Sequence, residues 1–259
     1  MLLQEEKVLE KDLQIAVSTA SGVETVTKRE LSLMGYGDCA AVNGKIRLTG
    51  SVEDIYKLNF ALRTGERVLI LLVERKVTTF DELYDAVKRI EWHRFIPEDG
   101  RVVVSGKCVK STLFAVSACQ RIVKKAIADN LCGKYKVNVL RENGCVFDVA
   151  FSIHEDILVV TLDTTGEGLH KRGYRDLSVA APMKETLAAA VVMLSDWGYK
   201  LPLRDLFCGS GTIPIEAALY ARNIAPNIDR KFACDDWKGF LNGEKRKIIC
   251  DELKNKELG

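Results

Sequence analysis

The pattern with the clearest chemical meaning is a pair of glycines two residues apart, with an acidic residue before them and a hydroxyl after them. It runs from Asp205 to Thr212 as Asp-Leu-Phe-Cys-Gly-Ser-Gly-Thr, and the apolar stretch 213–219 comes next. Glycine allows the backbone to approach a ligand closely, and the N-terminus of a following helix carries a partial positive charge. We therefore predict a loop that binds a nucleotide-like cofactor between a strand and a helix of an α/β sheet.

Two other interpretations of this pattern are weighed against a cofactor loop. Glycine turns between strands and helices are common, so the pattern is also typical of a turn with a purely structural role. A phosphate-binding P-loop is disfavoured, because no Gly-Lys-Ser or Gly-Lys-Thr occurs in the sequence.

The second candidate feature is a basic segment in the middle of the chain. The formal net charge is +2, but residues 101–141 carry nine basic residues and one acidic residue, whereas both flanking parts are mildly acidic. Such one-sided charge is typical of a surface that binds a polyanion. The alternative is a basic helix that is merely solvated. The nine basic residues are Arg101, Lys107, Lys110, Arg121, Lys124, Lys125, Lys134, Lys136 and Arg141.

The glycine pattern needs a strand before it and a helix after it. Residues 203–207 predict the strand, and Pro202 precedes it. Further upstream, Pro182 stands at the head of a predicted helix over 184–197, since proline is favoured in the first turn of a helix. The stretch 164–178 is rich in glycine and basic residues, and we expect it to form an ordered connection.

The first part of the chain predicts the order strand, helix, strand, strand, helix, strand. We expect strands at 13–18, 39–42, 45–48 and 67–73, and helices at 22–33 and 52–62. Asn43-Gly44 is a strong signal for a two-residue hairpin turn between the second and third strands. This order of elements is the ferredoxin-like βαββαβ arrangement.

The next part predicts a second compact α/β unit, which carries the basic segment. Thr79 followed three residues later by Glu82 indicates a capping box that opens a helix over 81–90. A strand at 101–106 and a long helix over 112–131 follow it. Three further strands are expected at 136–140, 146–152 and 157–162.

Composition excludes several classes of protein. Hydrophobic content of 47% and charged content of 29% are ordinary for a soluble globular chain. No apolar run approaches the ~18 residues of a membrane span. The acidic N-terminus does not resemble a signal peptide, so we expect a cytoplasmic location. The eight cysteines include no CxxC pair, which favours free thiols over a zinc site.

Several stretches carry a resemblance to a known family. DLFCGSGTIPIEAAL, with RNIAP after it, resembles motif I of class I S-adenosylmethionine (SAM)-dependent methyltransferases. More narrowly, it resembles the bacterial THUMP-domain rRNA methyltransferases that act on the exocyclic amine of guanine in large-subunit RNA. Five further stretches are similar to the same family in the same order: ASGVETVTKREL, VTTFDELYDAV, SGKCVKS, LDTTGEGLHKRGYR and APMKETLAAA.

The resemblance implies an α/β fold class with an α+β N-terminal part. It implies a ferredoxin-like unit over 1–75 and a THUMP RNA-binding domain over 76–163. Residues 164–259 would be the N-terminal, incomplete part of a Rossmann-like methyltransferase domain, with its first strand and helix. The implied cofactor is SAM, and the implied partner is large-subunit ribosomal RNA, with no metal and no membrane.

The resemblance also implies two sets of binding residues, but no catalytic residue. Asp205, Gly209 and Gly211 would line the methionine end of SAM, with residues 171–175 and 184–186 as the preceding wall of the pocket. Leu206 stands where relatives typically have proline, which alters the stiffness of the turn. The cofactor-binding set is Asp205, Phe207, Cys208, Gly209, Ser210, Gly211 and Thr212. The RNA-binding set is Lys107, Lys110, Ser111, Arg121, Lys124, Lys125, Lys171, Arg172 and Arg175.

Two parts of the family pattern are not found in these 259 residues. They are an acidic residue after a second sheet strand, which would bind the ribose, and an Asn/Asp-Pro-Pro-Tyr loop, which would orient the amine. Asp235-Asp236 is a weak candidate for the ribose contact. We therefore expect these residues alone to bind structured RNA without transferring a methyl group. The alternatives are a stand-alone RNA-binding module with a vestigial methyltransferase segment, and a DNA amino-methyltransferase.

Overall fold

The computed structural model describes residues 13–42, 44–174, 182–237, 240 and 243–258. They cluster into two compact units. One unit contains the described residues of 69–166 and 233–240, and the other contains those of 10–68, 167–232 and 241–259. Both units combine helices with strands, which confirms the predicted α/β fold class.

The N-terminal part has the predicted ferredoxin-like order. Its elements are β1 (Leu13–Thr19), α1 (Glu24–Leu33), β2 (Ala40–Val42), β3 (Lys45–Gly50), α2 (Val52–Ala61) and β4 (Gly65–Lys76). The strand order is β2-β3-β1-β4, and β3 is antiparallel to both of its neighbours. Buried apolar residues face each other across β1 and β3, since Ile15 lies opposite Leu48 and Val17 lies opposite Ile46.

The predicted hairpin between β2 and β3 is confirmed. Val42 lies opposite Lys45, so a two-residue turn joins the strands. Gly44 has a φ angle of +73°, a left-handed conformation that glycine adopts without strain. Asn43, the other residue of the predicted turn, lies outside the described residues.

The second part is an α/β unit built on a parallel crossover. Its elements are α3 (Phe80–Lys88), a 3-10 helix (Trp92–Arg94), β5 (Arg101–Val109), α4 (Val116–Tyr135), β6 (Val146–His154) and β7 (Ile157–Asp163). β5 and β6 are parallel and α4 connects them, whereas β7 is antiparallel to β6 and to β4. The predicted capping box is confirmed, because Thr79 and Glu82 exchange both hydrogen bonds at the start of α3.

The predicted strand at 136–140 is wrong, because this stretch is irregular and pairs with none of the described strands. β5 pairs directly with β6, and side chains of α4 cover the other edge of β5. Gln120 Nε2 donates to the carbonyl of Val104, and Lys124 Nζ donates to that of Val102. Covering a strand edge in this way prevents further pairing. α4 continues to Tyr135, and its C-cap Lys136 is left-handed.

The C-terminal part is mainly helical. Its elements are α5 (Glu185–Leu194), α6 (Thr212–Ala221), a 3-10 helix (Ala233–Asp236) and α7 (Gly243–Lys254). α5 packs on α6 and on α1, where Ala190 and Met193 contact Val23 and Val26. None of the helices in the described ranges is long and apolar enough to cross a membrane.

The predicted strand at 203–207 is also wrong. The segment is irregular, and Leu206 and Phe207 are 83% and 95% exposed. A strand is stable only when a neighbouring strand satisfies its backbone N–H and C=O groups. None of the seven strands in the described part of the chain pairs with this segment, so its apolar side chains remain in solvent.

Candidate cofactor loop and nucleic-acid interface

The predicted cofactor loop, residues 205–211, is a turn that leads directly into α6. Gly209 and Gly211 have φ angles of +54° and +72°, a region in which other residues are strained. The N–H of Gly211 donates to the carbonyl of Cys208 at 2.7 Å and closes the turn. A Cβ atom added to Gly209 would meet nothing within 4 Å, so backbone conformation and not space requires glycine here.

Polar groups are concentrated in and beside this loop. Asp205 Oδ1 accepts a hydrogen bond from the N–H of Phe207 at 3.2 Å. The hydroxyl oxygens of Ser210 and Thr212 lie 3.0 Å apart. The first N–H groups of any α-helix lack partners within the helix, and the described start of α6 has no side-chain cap hydrogen bond. Six of the seven predicted cofactor-binding residues thus lie in this turn, and the seventh, Thr212, is the first residue of α6.

Glu216 lies on the second turn of α6 and is fully buried. Its carboxylate forms an ion pair with Arg172 and accepts a hydrogen bond from the Tyr174 hydroxyl at 2.7 Å. Burial raises the pKa of Glu216, and the charge of Arg172 opposes that shift. Burial and the bond to Glu216 raise the pKa of Tyr174. The sequence reasoning missed this cluster, although one carboxylate within the apolar stretch 213–219 is the signal of a buried partner.

The structure corrects the prediction that Arg172 contacts RNA. The Arg172 side chain is 0% exposed and donates to three different segments of the chain. Its acceptors are the Glu216 carboxylate and the carbonyls of Arg63 and Leu169. A phosphate cannot reach a guanidinium whose donors are buried and already paired, so Arg172 has an internal role.

Glu30 on α1 is a second buried carboxylate that holds the same part of the backbone. Its Oε1 accepts the N–H of Arg63 at 2.7 Å, and its Oε2 accepts the N–H and the hydroxyl of Thr64 at 3.0 and 2.6 Å. Glu30 therefore holds the connection between α2 and β4 by accepting N–H groups of Arg63 and Thr64. Arg172 holds the same connection by donating to the carbonyl of Arg63.

The Arg63 side chain lies where the last turns of five helices meet. Its Nη2 donates to the carbonyl of Ile224 at 2.9 Å, and its guanidinium lies 5.7 Å from the centre of the Tyr220 ring. The carbonyl ends of helices carry a partial negative charge, which a buried guanidinium offsets. A cleft of about 280 Å³ lies beside it, at the C-terminal ends of α1, α2, α5, α6 and α7. The residues that line it there are Leu33, Met34, Ala61, Met193, Asn223 and Leu253.

Three exposed residues of the basic segment lie in or beside the loop between β5 and α4. Lys107 and Lys110 are exposed on its N-terminal side, and Arg121 is exposed on the second turn of α4. Between them Phe114 is 80% exposed. Cationic groups combined with an exposed aromatic ring are the elements that bind single-stranded nucleic acid, through phosphate contacts and base stacking.

Asp156, at the turn between β6 and β7, holds this loop in place. Its Oδ1 accepts the N–H of Thr112 at 2.7 Å and the Ser111 hydroxyl at 3.0 Å, and its Oδ2 accepts the Thr112 hydroxyl at 3.3 Å. The hydrogen bond from the Thr112 N–H is the main cause of the lowered pKa of Asp156. Ser111, which was predicted to contact RNA, thus takes part in fixing the loop.

Lys124 and Lys125 are neighbours on α4 with different surroundings. Lys124 Nζ contacts the Glu142 carboxylate as well as the carbonyl of Val102, so it holds the edge of β5. Lys125 is exposed, and its Nζ lies 5.9 Å from the centre of the Tyr84 ring. Of the two, Lys125 is the one placed to contact a phosphate.

Two more residues of the predicted RNA-binding set follow the THUMP-like part of the chain. Lys171 is exposed and forms an ion pair with Glu167 at 2.7 Å. This hydrogen bond from Lys171 is the main cause of the lowered pKa of Glu167. Arg175 lies outside the described residues.

The last predicted candidate, Asp235-Asp236, concerns ribose binding. Asp235 and Asp236 lie in a 3-10 helix that clusters with residues 69–166. Across the described ranges, no group of three or more His, Cys, Asp or Glu residues is placed to hold a metal ion. All eight cysteines are free thiols.

Comparison with known families finds three domain matches in succession. An RlmL ferredoxin-like domain matches residues 14–69, and a THUMP domain matches residues 77–163. An RMKL-like methyltransferase domain matches residues 172–257.

Three longer proteins are similar to most of the chain. The "Putative RNA methyltransferase YpsC" of Bacillus subtilis is 45% identical over 231 residues, which are 88% of this chain and 60% of that protein. A "predicted N6-adenine-specific DNA methylase" from Listeria monocytogenes is 42% identical with a TM-score of 0.91, covering 95% of this chain and 65% of its own. SMU.472, "a putative methyltransferase complexed with SAH", is 35% identical with a TM-score of 0.90, covering 96% and 66%.

These matches confirm the resemblance to THUMP-domain methyltransferases that the motifs predicted. Along the chain, the matched domains follow one another in the order RlmL ferredoxin-like, THUMP and RMKL-like methyltransferase. The chain spans about two thirds or less of the length of these three relatives.

Proposed function

We propose that the protein is a SAM-dependent RNA methyltransferase whose target is a base amine, guanine N2 in large-subunit ribosomal RNA. The observation that carries the proposal is the turn 205–211, in which two left-handed glycines lead into α6 within the part matched by a methyltransferase domain. The similar protein SMU.472 was crystallised as a complex with SAH, the product that SAM leaves after methyl transfer. The eight free thiols fit a reducing cytoplasm, where ribosomal RNA is modified.

The cofactor loop has the groups that this assignment needs. Gly209 and Gly211 let the backbone approach the methionine end of SAM, and Asp205 offers a carboxylate to its ammonium group. The α6 N-terminus faces the same end of the cofactor. In the reaction, the lone pair of the base amine attacks the methyl carbon while the bond from that carbon to sulfur breaks. SAH leaves, and the amine then loses a proton. Most of the rate enhancement comes from positioning the two reactants in line.

RNA is held by the THUMP domain in this proposal. The exposed Lys107, Lys110, Arg121 and Lys125 contact phosphates, and they supply affinity and salt dependence without choosing a sequence. Phe114 stacks on an unpaired base. Lys171, which is exposed just before the segment matched by the methyltransferase domain, is a further phosphate contact.

Competition binding tests the substrate class. We expect structured large-subunit RNA to displace a labelled RNA from the purified chain, and we expect double-stranded DNA of equal charge to displace it only weakly. The base is tested by a chimera in which this chain replaces the matching part of YpsC, incubated with labelled SAM and RNA. Label in N2-methylguanine supports the proposal, and label in any other base contradicts the assignment of guanine N2.

A second candidate is methylation of adenine N6 in DNA, because the similar Listeria protein is described as such a methylase. Preferential displacement by DNA, together with label in N6-methyladenine, would establish this candidate instead. A third candidate is an RNA-binding module whose methyltransferase segment no longer binds cofactor. It predicts RNA binding with no SAH binding, so titration with SAH separates it from the other two.

A further inference from the structure

The Arg172–Glu216 ion pair joins the helix behind the cofactor loop to the ferredoxin-like part of the chain. Glu216 is four residues after Thr212, the first residue of α6. Arg172 reaches from Glu216 to the carbonyl of Arg63, which lies between α2 and β4. The N–H of the same Arg63 is held by Glu30 on α1 at 2.7 Å. A continuous chain of buried polar contacts therefore runs from α1 to the start of α6.

We propose that this pair positions the cofactor loop, with Arg172, Tyr174 and Glu216 as positioning residues and the ferredoxin-like domain as the rigid support. This inference rests on the proposed function, in which the loop binds SAM. It gives the ferredoxin-like domain a role in cofactor binding, in addition to any contact with RNA.

The geometry of Arg172 favours positioning over simple stabilisation. Its planar fork donates in fixed directions to Glu216, to Arg63 and to Leu169, which belong to three separate segments. A buried ion pair is a weak source of stability, since apolar residues of similar volume are often equally stable in its place. Apolar contacts have no direction, however, and they cannot fix the rotation and height of α6 in the same way.

The support matters because little else holds the loop itself. Residues 202–205 form no regular structure, and the next two side chains, Leu206 and Phe207, are the most exposed large apolar side chains described. The position of Gly209 and Gly211 thus depends on the start of α6. A displacement of about 1 Å in such a site costs on the order of a hundredfold in function.

Three variants separate the two roles of the pair. Arg172→Met leaves the buried Glu216 carboxylate without its partner, and we expect the Tm to fall by about 6–12 °C. The triple variant Arg172→Met, Tyr174→Phe, Glu216→Leu removes every charge and hydroxyl of the cluster, and we expect its Tm to return to within about 4 °C of the wild type. The control removes the exposed pair of Arg29 and Asp196, 3.2 Å apart, through Arg29→Met and Asp196→Asn.

SAH affinity, measured by isothermal titration at 25 °C, is the first readout. We expect the triple variant to bind SAH at least tenfold more weakly than the wild type despite its recovered Tm, and we expect the control to bind normally. Recovery of both Tm and wild-type SAH affinity in the triple variant would overturn the proposal.

Hydrogen exchange provides a readout that needs no cofactor. We expect faster exchange of the amides of 213–218 in the triple variant and unchanged exchange in α5. Equal protection of 213–218 in the triple variant and the wild type would overturn the proposal. If the wild type binds no SAH, the cofactor assignment fails, whereas the exchange experiment still decides whether the pair positions α6.

Discussion

The carboxylate of Asp156 accepts a hydrogen bond of 2.7 Å from the backbone N–H of Thr112, 44 positions earlier in the chain. This contact ties the turn between β6 and β7 to the loop that carries Lys110 and Phe114. The pKa of Asp156 is lowered, so the carboxylate stays ionised to a lower pH than an ordinary aspartate. The contact is therefore present above the ordinary pKa of an aspartate and is lost only as pH falls through the lowered value. The candidate RNA loop is therefore held by a carboxylate that is already occupied by Ser111 and Thr112.

The variant Asp156→Asn tests whether the Asp156 carboxylate orders the loop between β5 and α4. Asparagine keeps the shape and tolerates the left-handed φ of +64°, but it cannot accept all three hydrogen bonds. We expect RNA affinity to fall on the order of threefold to tenfold, measured by fluorescence anisotropy.

Glu155→Gln is the matched control, since Glu155 is the neighbouring turn residue and also has a positive φ of +50°. Both changes make the chain more positive by one charge, which by itself strengthens RNA binding. Equal RNA affinities for the two variants would show that Asp156 does not order the loop.

The exposed basic residues and Phe114 beside the loop between β5 and α4 should contribute differently to RNA binding. The basic residues should make the affinity depend on salt, and Phe114 should not. We expect Lys110→Gln and Arg121→Gln each to reduce the slope of log affinity against log salt by about 1. Phe114→Ala should weaken RNA binding by about 1–3 kcal/mol at every salt concentration, because it removes stacking and no charge. Lys134→Gln, at the other end of α4, should leave the slope unchanged. A change in slope for Lys134→Gln equal to that for Lys110→Gln would contradict a localised RNA surface.

The capping box of α3 predicts a measurable effect on stability. Thr79→Ala removes the hydroxyl that accepts the N–H of Glu82 at 3.2 Å. We expect the free energy of unfolding in urea to fall by about 1 kcal/mol. Ser105→Ala removes an exposed hydroxyl from β5 and should change it by less than about 0.5 kcal/mol. Indistinguishable unfolding curves for the two variants would argue against the cap.

Thiol chemistry tests the packing between β5 and α4. Burial, together with the neighbouring Cys108, raises the pKa of Cys119 to about 11. The thiolate is the reactive form, so at pH 8 we expect iodoacetamide to label the exposed Cys208 first and Cys119 last. Labelling of Cys119 should accelerate as pH approaches 11. Mass spectrometry of the digested protein measures both rates, and equal rates at pH 8 would mean that Cys119 is not buried in solution.

Local signals in the sequence were sufficient for much of the fold. The order of elements from β1 to β4, the turn at Gly44 and the cap at Thr79 depend on neighbouring residues, and the structure confirms them. The strands expected at 136–140 and 203–207 are wrong for a different reason. A strand exists only where a partner edge is free, and apolar alternation carries no information about that edge.

For the candidate site too, the sequence predicted the features that depend on neighbouring residues and missed those that depend on distant contacts. The glycines of the cofactor loop form one turn before α6, because their conformation is a local property. The pairing of Arg172 with Glu216 joins residues 44 positions apart, so no local pattern distinguishes Arg172 from the exposed Lys171 beside it. The family resemblance predicted both as RNA contacts. Only burial separates them.

Binding of SAH to the wild-type chain and to Asp205→Asn tests the central claim most directly, with the exposed Asp38→Asn as control. We predict that the wild type and the control bind with the same affinity. The Asp205 variant should bind at least about tenfold more weakly, because a charge-assisted hydrogen bond to the cofactor is lost. Absence of SAH binding by the wild type, or equal affinity in all three proteins, would contradict the assignment of residues 205–212 as the SAM-binding loop.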